Sequence, residues 1–163
     1  MTNDNQEAVT GADMIIFAVK PWLMKLVVKE LKLRGTQILI SVAAGIPFEE
    51  LTHYVADKEM TMFRLIPNTA ISEMESMTLI ASRNATKEQE QLMLDIFNQM
   101  GLAMLIPEEK IAATTAMTSC GIAYVLKYIQ QLCRPALKWV STQRRHAHGG
   151  TVREGSSRAD SEQ

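Results

Sequence analysis

Two short apolar runs near the start of the chain are typical of buried β-strands. Residues 14–19 (MIIFAV) and residues 38–43 (ILISVA) contain no charged side chain. The first run lies between Asp13 and Lys20, and the second is followed by a break at Gly45. Strands with helices on both faces have such continuous apolar runs rather than an alternating pattern. We therefore predict two strands here, each covered on both faces.

Helical spacing follows each of these runs. Pro21 is suited to a first helical turn, and Gly35 supplies a stop. The predicted apolar face between them holds Leu23, Leu26, Val27 and Leu31. Thr86 and Gln89 match a capping box, which predicts a helix that ends near Gly101. Its apolar face holds Leu92, Met93, Ile96, Phe97 and Met100. Further strands are predicted at residues 62–66, 76–82 and 102–106, and a short helix at 47–55.

Strands that alternate with helices at this spacing indicate right-handed crossovers and a mostly parallel sheet. The fold class is therefore α/β, as a truncated Rossmann-like sheet. From Glu108 to Ile129 the pattern becomes all-helical, with a break of small residues at 118–121. We predict a sheet domain over residues 1–106, the first helices of a second domain over 107–130, and a separate tail over 131–163.

Composition narrows the class of protein. The chain has 163 residues and 47% hydrophobic residues, enough for one domain with a core. No apolar run approaches the roughly 20 residues needed to span a bilayer, and no signal peptide is recognisable. Only two cysteines are present, and neither has a histidine at metal-finger spacing. We expect a cytoplasmic protein with free thiols, no metal site and no membrane partner.

The tail differs sharply from the rest of the chain. All 11 methionines and all isoleucines precede residue 131, whereas most of the arginines follow it. The change falls inside an amphipathic helical pattern, as in a segment translated in a shifted frame. We expect most of residues 131–163 to be disordered. A genuine basic tail is the alternative, but it has no interleaved aromatic residues, so we expect no nucleic-acid partner.

The candidate chemistry lies where the parallel strands end. Ligands of open parallel sheets bind outside the carboxyl ends of the strands. Those ends read Ala18-Val19-Lys20-Pro21, Val42-Ala43-Ala44-Gly45 and Ile66-Pro67-Asn68-Thr69. Small residues in the second turn permit close approach of a flat ligand, and Asn68 and Thr69 offer hydrogen bonds. No nucleophile triad or histidine cluster accompanies them.

The segments ADMIIFAVKP, ILISVAAGI, FRLIPNTA and TTAMTSCGIAYV, in this order and spacing, resemble the pyrroline-5-carboxylate reductases. The resemblance covers roughly residues 4–130. It implies a Rossmann domain that binds NADP or NAD, a helical domain that forms homo-oligomers, and reduction of the cyclic imine pyrroline-5-carboxylate to L-proline. In this family the nicotinamide supplies the hydride, and the protein orients the reactants and excludes water.

The resemblance also implies site residues. The cofactor-binding positions that it implies are Ala18, Val19, Lys20, Pro21, Ala43, Ala44, Gly45 and Asn68. The substrate-side positions that it implies are Asn68, Thr69, Thr118, Ser119, Cys120 and Gly121. Ser119, Cys120 and Ile122 depart from the family's SGSGPAY segment, in which Gly, Ser and Pro stand at these places.

Two family segments do not occur in this sequence. None of the eight glycines forms the G-x-G spacing of a dinucleotide fingerprint. The SPGGTT segment that receives the substrate is also missing. We therefore expect this chain to behave as a fragment of a reductase, with little or no activity alone.

Two alternatives remain open at this stage. The chain could be a non-enzymatic interaction module built on half of a Rossmann sheet. It could instead belong to another Rossmann reductase with a helical second domain, such as the hydroxyacid dehydrogenases. Those enzymes use a helix lysine as an acid, and Lys127 is the candidate here, on a stretch without a matching motif.

Overall fold

The computed structural model describes residues 2–135 and 138–139 of the chain. The chain divides into two units, Met1–Cys120 and Gly121–Gln163. The first unit is the α/β sheet. In the second unit, residues 121–135 and 138–139 are helical. The predictions for the other residues of the 131–163 tail lie outside the described residues.

A five-stranded sheet forms the first unit, with the strands side by side in chain order. The strands are β1 (Met14–Phe17), β2 (Ile38–Ser41), β3 (Met62–Ile66), β4 (Ser76–Arg83) and β5 (Gly101–Leu105). The helices are α1 (Asn5–Val9), α2 (Pro21–Glu30), α3 (Phe48–Thr52), α4 (Lys87–Phe97) and α5 (Ile111–Thr118). Short 3₁₀ helices lie at Thr69–Glu73, Asn98–Met100 and Glu108–Lys110. The mostly parallel α/β sheet predicted from the sequence is confirmed.

One strand pair departs from the parallel pattern. The pairs β1–β2, β2–β3 and β4–β5 are parallel, and β3–β4 is antiparallel. A parallel crossover needs a connection of about a dozen residues or more. The connection between β3 and β4 is residues 67–75, and within it Met74 has a φ of 60°. Because the connection is this short, the chain turns back instead of crossing over.

The core has a separate apolar cluster on each face of the sheet. On one face, Met24 and Val28 of α2 and Leu51 of α3 are buried against the sheet. On the other face, Met93 and Phe97 of α4 are buried against β2, β3 and β4. Strand β3 contributes to both clusters and is buried at every position. Burial of each large side chain is worth roughly 1.5 to 3 kcal/mol.

Two predictions about burial were wrong. Strand β1 is not covered on both faces, because it is an edge strand and Met14 and Ile16 are exposed on the side of the sheet where α4 packs. The predicted apolar face of α2 is also shifted, since Leu23 and Leu26 are exposed. The buried stripe has the same helical spacing with a different phase.

Helix α4 begins as predicted, with a complete capping box. The Thr86 hydroxyl accepts the Gln89 N–H, and the Gln89 side chain accepts the Thr86 N–H. Its predicted apolar face is confirmed for Met93 and Phe97, whereas Leu92 is exposed. The predicted break near residue 118 is also present, because α5 ends at Thr118 and a turn at Ser119 precedes further helix.

We predict that Ser82→Ala weakens the fold more at neutral pH than in acid. Ser82 donates a hydrogen bond to Glu90 at 2.6 Å, and Lys87 donates another at 2.9 Å; these bonds lower the pKa of Glu90. A lowered folded-state pKa stabilises the fold above the unfolded pKa of about 4.3, and this stability is lost as the pH falls through the folded pKa. We expect Ser82→Ala to cost about 1 kcal/mol at neutral pH.

Urea denaturation of both proteins at neutral pH and below the folded pKa of Glu90 measures this effect. The difference between them should shrink in acid. Thr10→Ala, which removes an exposed hydroxyl that donates to the Gln6 carbonyl rather than to a carboxylate, is the control. A difference that stays constant with pH would contradict the role of Glu90.

Candidate functional site

The first two turns of the site meet at one edge of the sheet. Because β1 and β2 are parallel, their carboxyl ends lie side by side. The turns after them line a cavity of about 310 Å³. Its lining residues are Ala18, Val19, Lys20, Pro21, Val42, Ala43 and Ala44. The structure therefore brings together all the proposed cofactor-binding residues of these two turns except Gly45, which follows Ala44 in the chain.

Local hydrogen bonds set the shape of the second turn. The Val42 N–H donates to the Phe17 carbonyl at 3.2 Å and extends the β1–β2 ladder. The Ala43 N–H donates to the Ser41 hydroxyl at 3.3 Å, and both residues are buried. Gly45 has a φ of +81°, a conformation that side chains disfavour. The turn is thus a fixed, small-residue surface on one side of the cavity.

On the opposite side of the cavity, Lys20 and Pro21 form the start of α2. Lys20 is the N-cap residue with extended backbone, and its side chain makes no cap hydrogen bond. Pro21 occupies the first helical turn, where the missing N–H is no loss. The Lys20 side chain is exposed, and the residue is part of the cavity lining.

The third turn follows β3 and is held by its asparagine. The Asn68 Oδ1 accepts the Ala70 N–H at 3.0 Å, and Asn68 Nδ2 donates to the Thr118 carbonyl at 3.0 Å. The Asn68 N–H donates to the hydroxyl of Ser76, which is buried and lies 3.1 Å from the Thr78 hydroxyl. Asn68 therefore ties the turn to the end of α5.

The remaining proposed substrate-side residues lie at or beyond that helix end. Thr69 is exposed at the start of its 3₁₀ helix. The Ser119 N–H donates to the Thr115 carbonyl at 3.0 Å, and its buried hydroxyl has no hydrogen-bond partner among the described residues. Cys120 is exposed, and Gly121 is the first residue of the second unit.

Arg64 is a buried charged residue four positions before Asn68 that was not singled out from the sequence. Arg64 stands in the middle of β3 and pairs with Glu108 at 2.5 Å. The Glu108 carboxylate also accepts the Phe48 N–H, at 2.7 Å. The sequence feature that could have identified Arg64 is the single charged residue within the apolar run MFRLI, because a charge in a fully buried strand requires a partner.

The described residues show neither a metal site nor a membrane span. Among residues 2–135 and 138–139, no group of three or more His, Cys, Asp and Glu side chains is placed to hold a metal ion. Within the same part of the chain, no helix is both long enough and apolar enough to cross a membrane.

Parallel strands that end beside small-residue turns, in a sheet with helices packed on both faces, are typical of Rossmann-like dinucleotide-binding folds. A family model described as "NADP oxidoreductase coenzyme F420-dependent" matches residues 1–45. The chain is 33% identical to the pyrroline-5-carboxylate reductase of Methanosarcina acetivorans, covering 84% of this chain and 52% of the relative. The Arabidopsis thaliana reductase is also 33% identical, covering 78% of this chain and 47% of the relative.

Solved structures agree with these relatives. The pyrroline carboxylate reductase of Plasmodium falciparum, solved with NADP bound, superposes with a TM-score of 0.79 at 29% identity, covering 84% of this chain and 53% of that chain. The Streptococcus pyogenes enzyme gives a TM-score of 0.78 at 26% identity, covering 83% and 52%. The chain is therefore similar, over most of its own length, to pyrroline-5-carboxylate reductases. It spans about half the length of the relatives that it matches.

Proposed function

We propose that this chain forms part of an NAD(P)H-dependent pyrroline-5-carboxylate reductase, which reduces the imine to L-proline. The cavity between the β1 and β2 turns is the observation that carries the proposal. It lies at the carboxyl edge of parallel strands, where open α/β sheets bind dinucleotides. The relative from Plasmodium falciparum, which has NADP bound, supports the choice of cofactor.

The lining of this cavity fits the nicotinamide end of such a cofactor. Ala18, Ala43 and Ala44 have no side-chain atoms beyond Cβ, so a flat ring can approach their backbone closely. Val19 and Val42 add apolar surface. When bound, the reduced nicotinamide would supply the hydride, while these residues hold the ring in place and exclude water.

We assign the substrate side to the third turn and the end of α5. Among the residues that the structure describes, the Asn68 amide donates one of its two N–H bonds, to the Thr118 carbonyl, which leaves the other for a ligand. Thr69 directly follows Asn68 and Ser119 directly follows Thr118, so each hydroxyl is next in sequence to one end of this hydrogen bond. With Thr118 and Cys120, they are the groups that we propose to face the imine and its carboxylate.

The second unit suggests that the protein self-associates. Residues 121–135 carry many exposed apolar side chains for one helical segment. They are Tyr124, Val125, Leu126, Tyr128, Ile129 and Leu132. Contiguous exposed apolar surface marks an interaction site, and we propose a second copy of the chain as the partner. This surface also favours the alternative function, an interaction module without catalysis.

Ligand binding tests the enzymatic proposal. Trp22 follows Pro21, so a reduced nicotinamide in the cavity should quench its fluorescence by energy transfer. We expect NADPH or NADH, and reduced nicotinamide mononucleotide, to quench the wild-type chain. Because the sequence has no G-x-G turn to anchor a pyrophosphate, we expect weak binding and little turnover of the imine by this chain alone.

Two variants make this measurement specific. Ala44→Phe would fill the cavity and should abolish the quenching. Ala56→Phe places the same ring at an exposed position away from the cavity and should leave the quenching unchanged. Self-association without any nicotinamide binding would instead favour the interaction module.

A further inference from the structure

Arg64 is a charged residue buried where apolar residues are expected. It lies at the centre of β3, between two strands, and is 6% exposed. Removing a guanidinium from water is costly unless hydrogen bonds and an opposite charge compensate. Here compensation is incomplete, because Nε of Arg64 has no hydrogen-bond acceptor among the described residues.

The partners of Arg64 come from two elements distant in sequence. Its Nη1 lies 2.5 Å from the Glu108 carboxylate, at the start of the 3₁₀ helix that leads into α5. The guanidinium carbon is 5.9 Å from the centre of the Phe48 ring, within the range of a cation–π contact. Phe48 is the first residue of α3, and its N–H donates to the same Glu108 oxygen at 2.7 Å.

These contacts connect the turns of the proposed site. Helix α3 follows the turn after β2, so Phe48 fixes the far end of that turn. Helix α5 is held at both of its ends: Glu108 anchors the segment before it to β3, and the Thr118 carbonyl accepts the Asn68 amide. Arg64 itself lies on β3, four residues before Asn68 in the turn that follows this strand.

We propose that Arg64 is a positioning residue for the reductase site, which fixes the β2 and β3 turns relative to each other through Glu108. This inference rests on the proposed function. A buried ion pair can often be replaced by apolar residues without loss of stability. A purely structural role therefore does not explain a guanidinium with an unpaired Nε, whereas its contacts with the Glu108 carboxylate and the Phe48 ring join β3 to two other elements.

Arg64→Met, which keeps much of the side-chain volume, is the main test, with Arg64→Lys as the conservative variant. We expect Arg64→Met to weaken binding of reduced nicotinamide mononucleotide roughly tenfold, because small misplacements of a site are costly. Arg64→Lys keeps the charge and should recover part of the affinity. Lys87→Met removes the ion pair with Glu90 on α4 and should leave the affinity unchanged.

Amide NMR of the ligand-free chain gives an independent measurement. In Arg64→Met, we expect shifted amide resonances at residues 43–45 and 68–69 and faster hydrogen exchange at Phe48. Glu108→Gln keeps an acceptor for the Phe48 N–H, so exchange there should stay slow while the turn resonances move. If Arg64→Met fails to fold, Arg64→Lys and Glu108→Gln provide the same comparison.

The binding and NMR measurements distinguish failure of the proposed function from failure of the positioning role of Arg64. If the wild-type chain binds no reduced nicotinamide, the proposed function fails, and the turn resonances still show whether Arg64 positions the turns. If the wild type binds and the Arg64 and Glu108 variants keep both its affinity and its turn resonances, the positioning role is overturned. A loss of affinity equal in Lys87→Met and Arg64→Met would also overturn it.

Discussion

Gly101→Ala should prevent the sheet from forming, or cost at least about 4 kcal/mol of the free energy of unfolding. Gly101 begins β5 with a φ of +131° and a ψ of −145°, a region that is essentially restricted to glycine. A Cβ at this position would lie 2.1 Å from the Ser76 carbonyl oxygen and 2.3 Å from its nitrogen. Because these are backbone atoms of the paired strand, a rotamer change cannot relieve the clash.

Gly11→Ala is the matched control for this prediction. Gly11 also has a positive φ, of +81°, but nothing lies within 4 Å of a Cβ built on it. Gly11→Ala should lower the free energy of unfolding by only roughly 1 to 2 kcal/mol, which is the cost of a left-handed backbone conformation for a residue with a Cβ. Far-UV circular dichroism and urea denaturation of both variants measure the difference. Equal losses in the two variants would show that backbone conformation, and not the contact with Ser76, controls stability.

Much of the sheet could be predicted because its strands are short apolar runs between turn-forming residues. The runs at residues 38–43 and 62–66 contain the observed β2 and β3, and both strands are buried throughout. The capping box at Thr86 was equally visible, since both of its partners lie within one turn of helix. These features depend on residues near each other in the chain, which is why a single sequence reveals them.

The errors arose where burial depends on distant parts of the chain. The run at residues 14–19 has the same composition as a central strand, yet β1 is at the edge and Ile16 is 57% exposed. Likewise, α2 has apolar residues on more than one face, and periodicity alone did not determine which face would pack. Leu26 satisfies the helical spacing but is exposed, whereas Met24 is buried.

The candidate site likewise combines features that the local sequence predicts with contacts between distant residues. The turns at residues 18–21 and 42–45 could be placed together from the sequence, because parallel strands end at the same edge. The link from Asn68 to Thr118 spans 50 residues, and the one from Arg64 to Glu108 spans 44. No local pattern encodes such pairs. Only the charge within an apolar strand indicated that a partner for Arg64 had to exist.

Ile40→Ala is expected to lose about 3 to 4 kcal/mol of stability, whereas Ile16→Ala loses about 0.5 kcal/mol or less. The two isoleucines are register partners on β1 and β2. Ile40 is 2% exposed and Ile16 is 57% exposed, so burial is the main difference between them. Truncating Ile40 removes buried methyl groups and leaves a cavity among Phe63, Ile80 and the other residues of its cluster. Truncating Ile16 removes surface that water already contacts.

Urea denaturation of the two alanine variants at a low protein concentration provides the comparison. Ile40→Val is a control that removes one methylene and should cost about 1 kcal/mol. A large loss for Ile16→Ala that grows with protein concentration would mean that another copy of the chain covers β1. Such a result would contradict the exposed edge described for the single chain, because a side chain that contributes several kcal/mol must be shielded from water. The difference between Ile16 and Ile40 therefore tests whether β1 remains a free edge in solution.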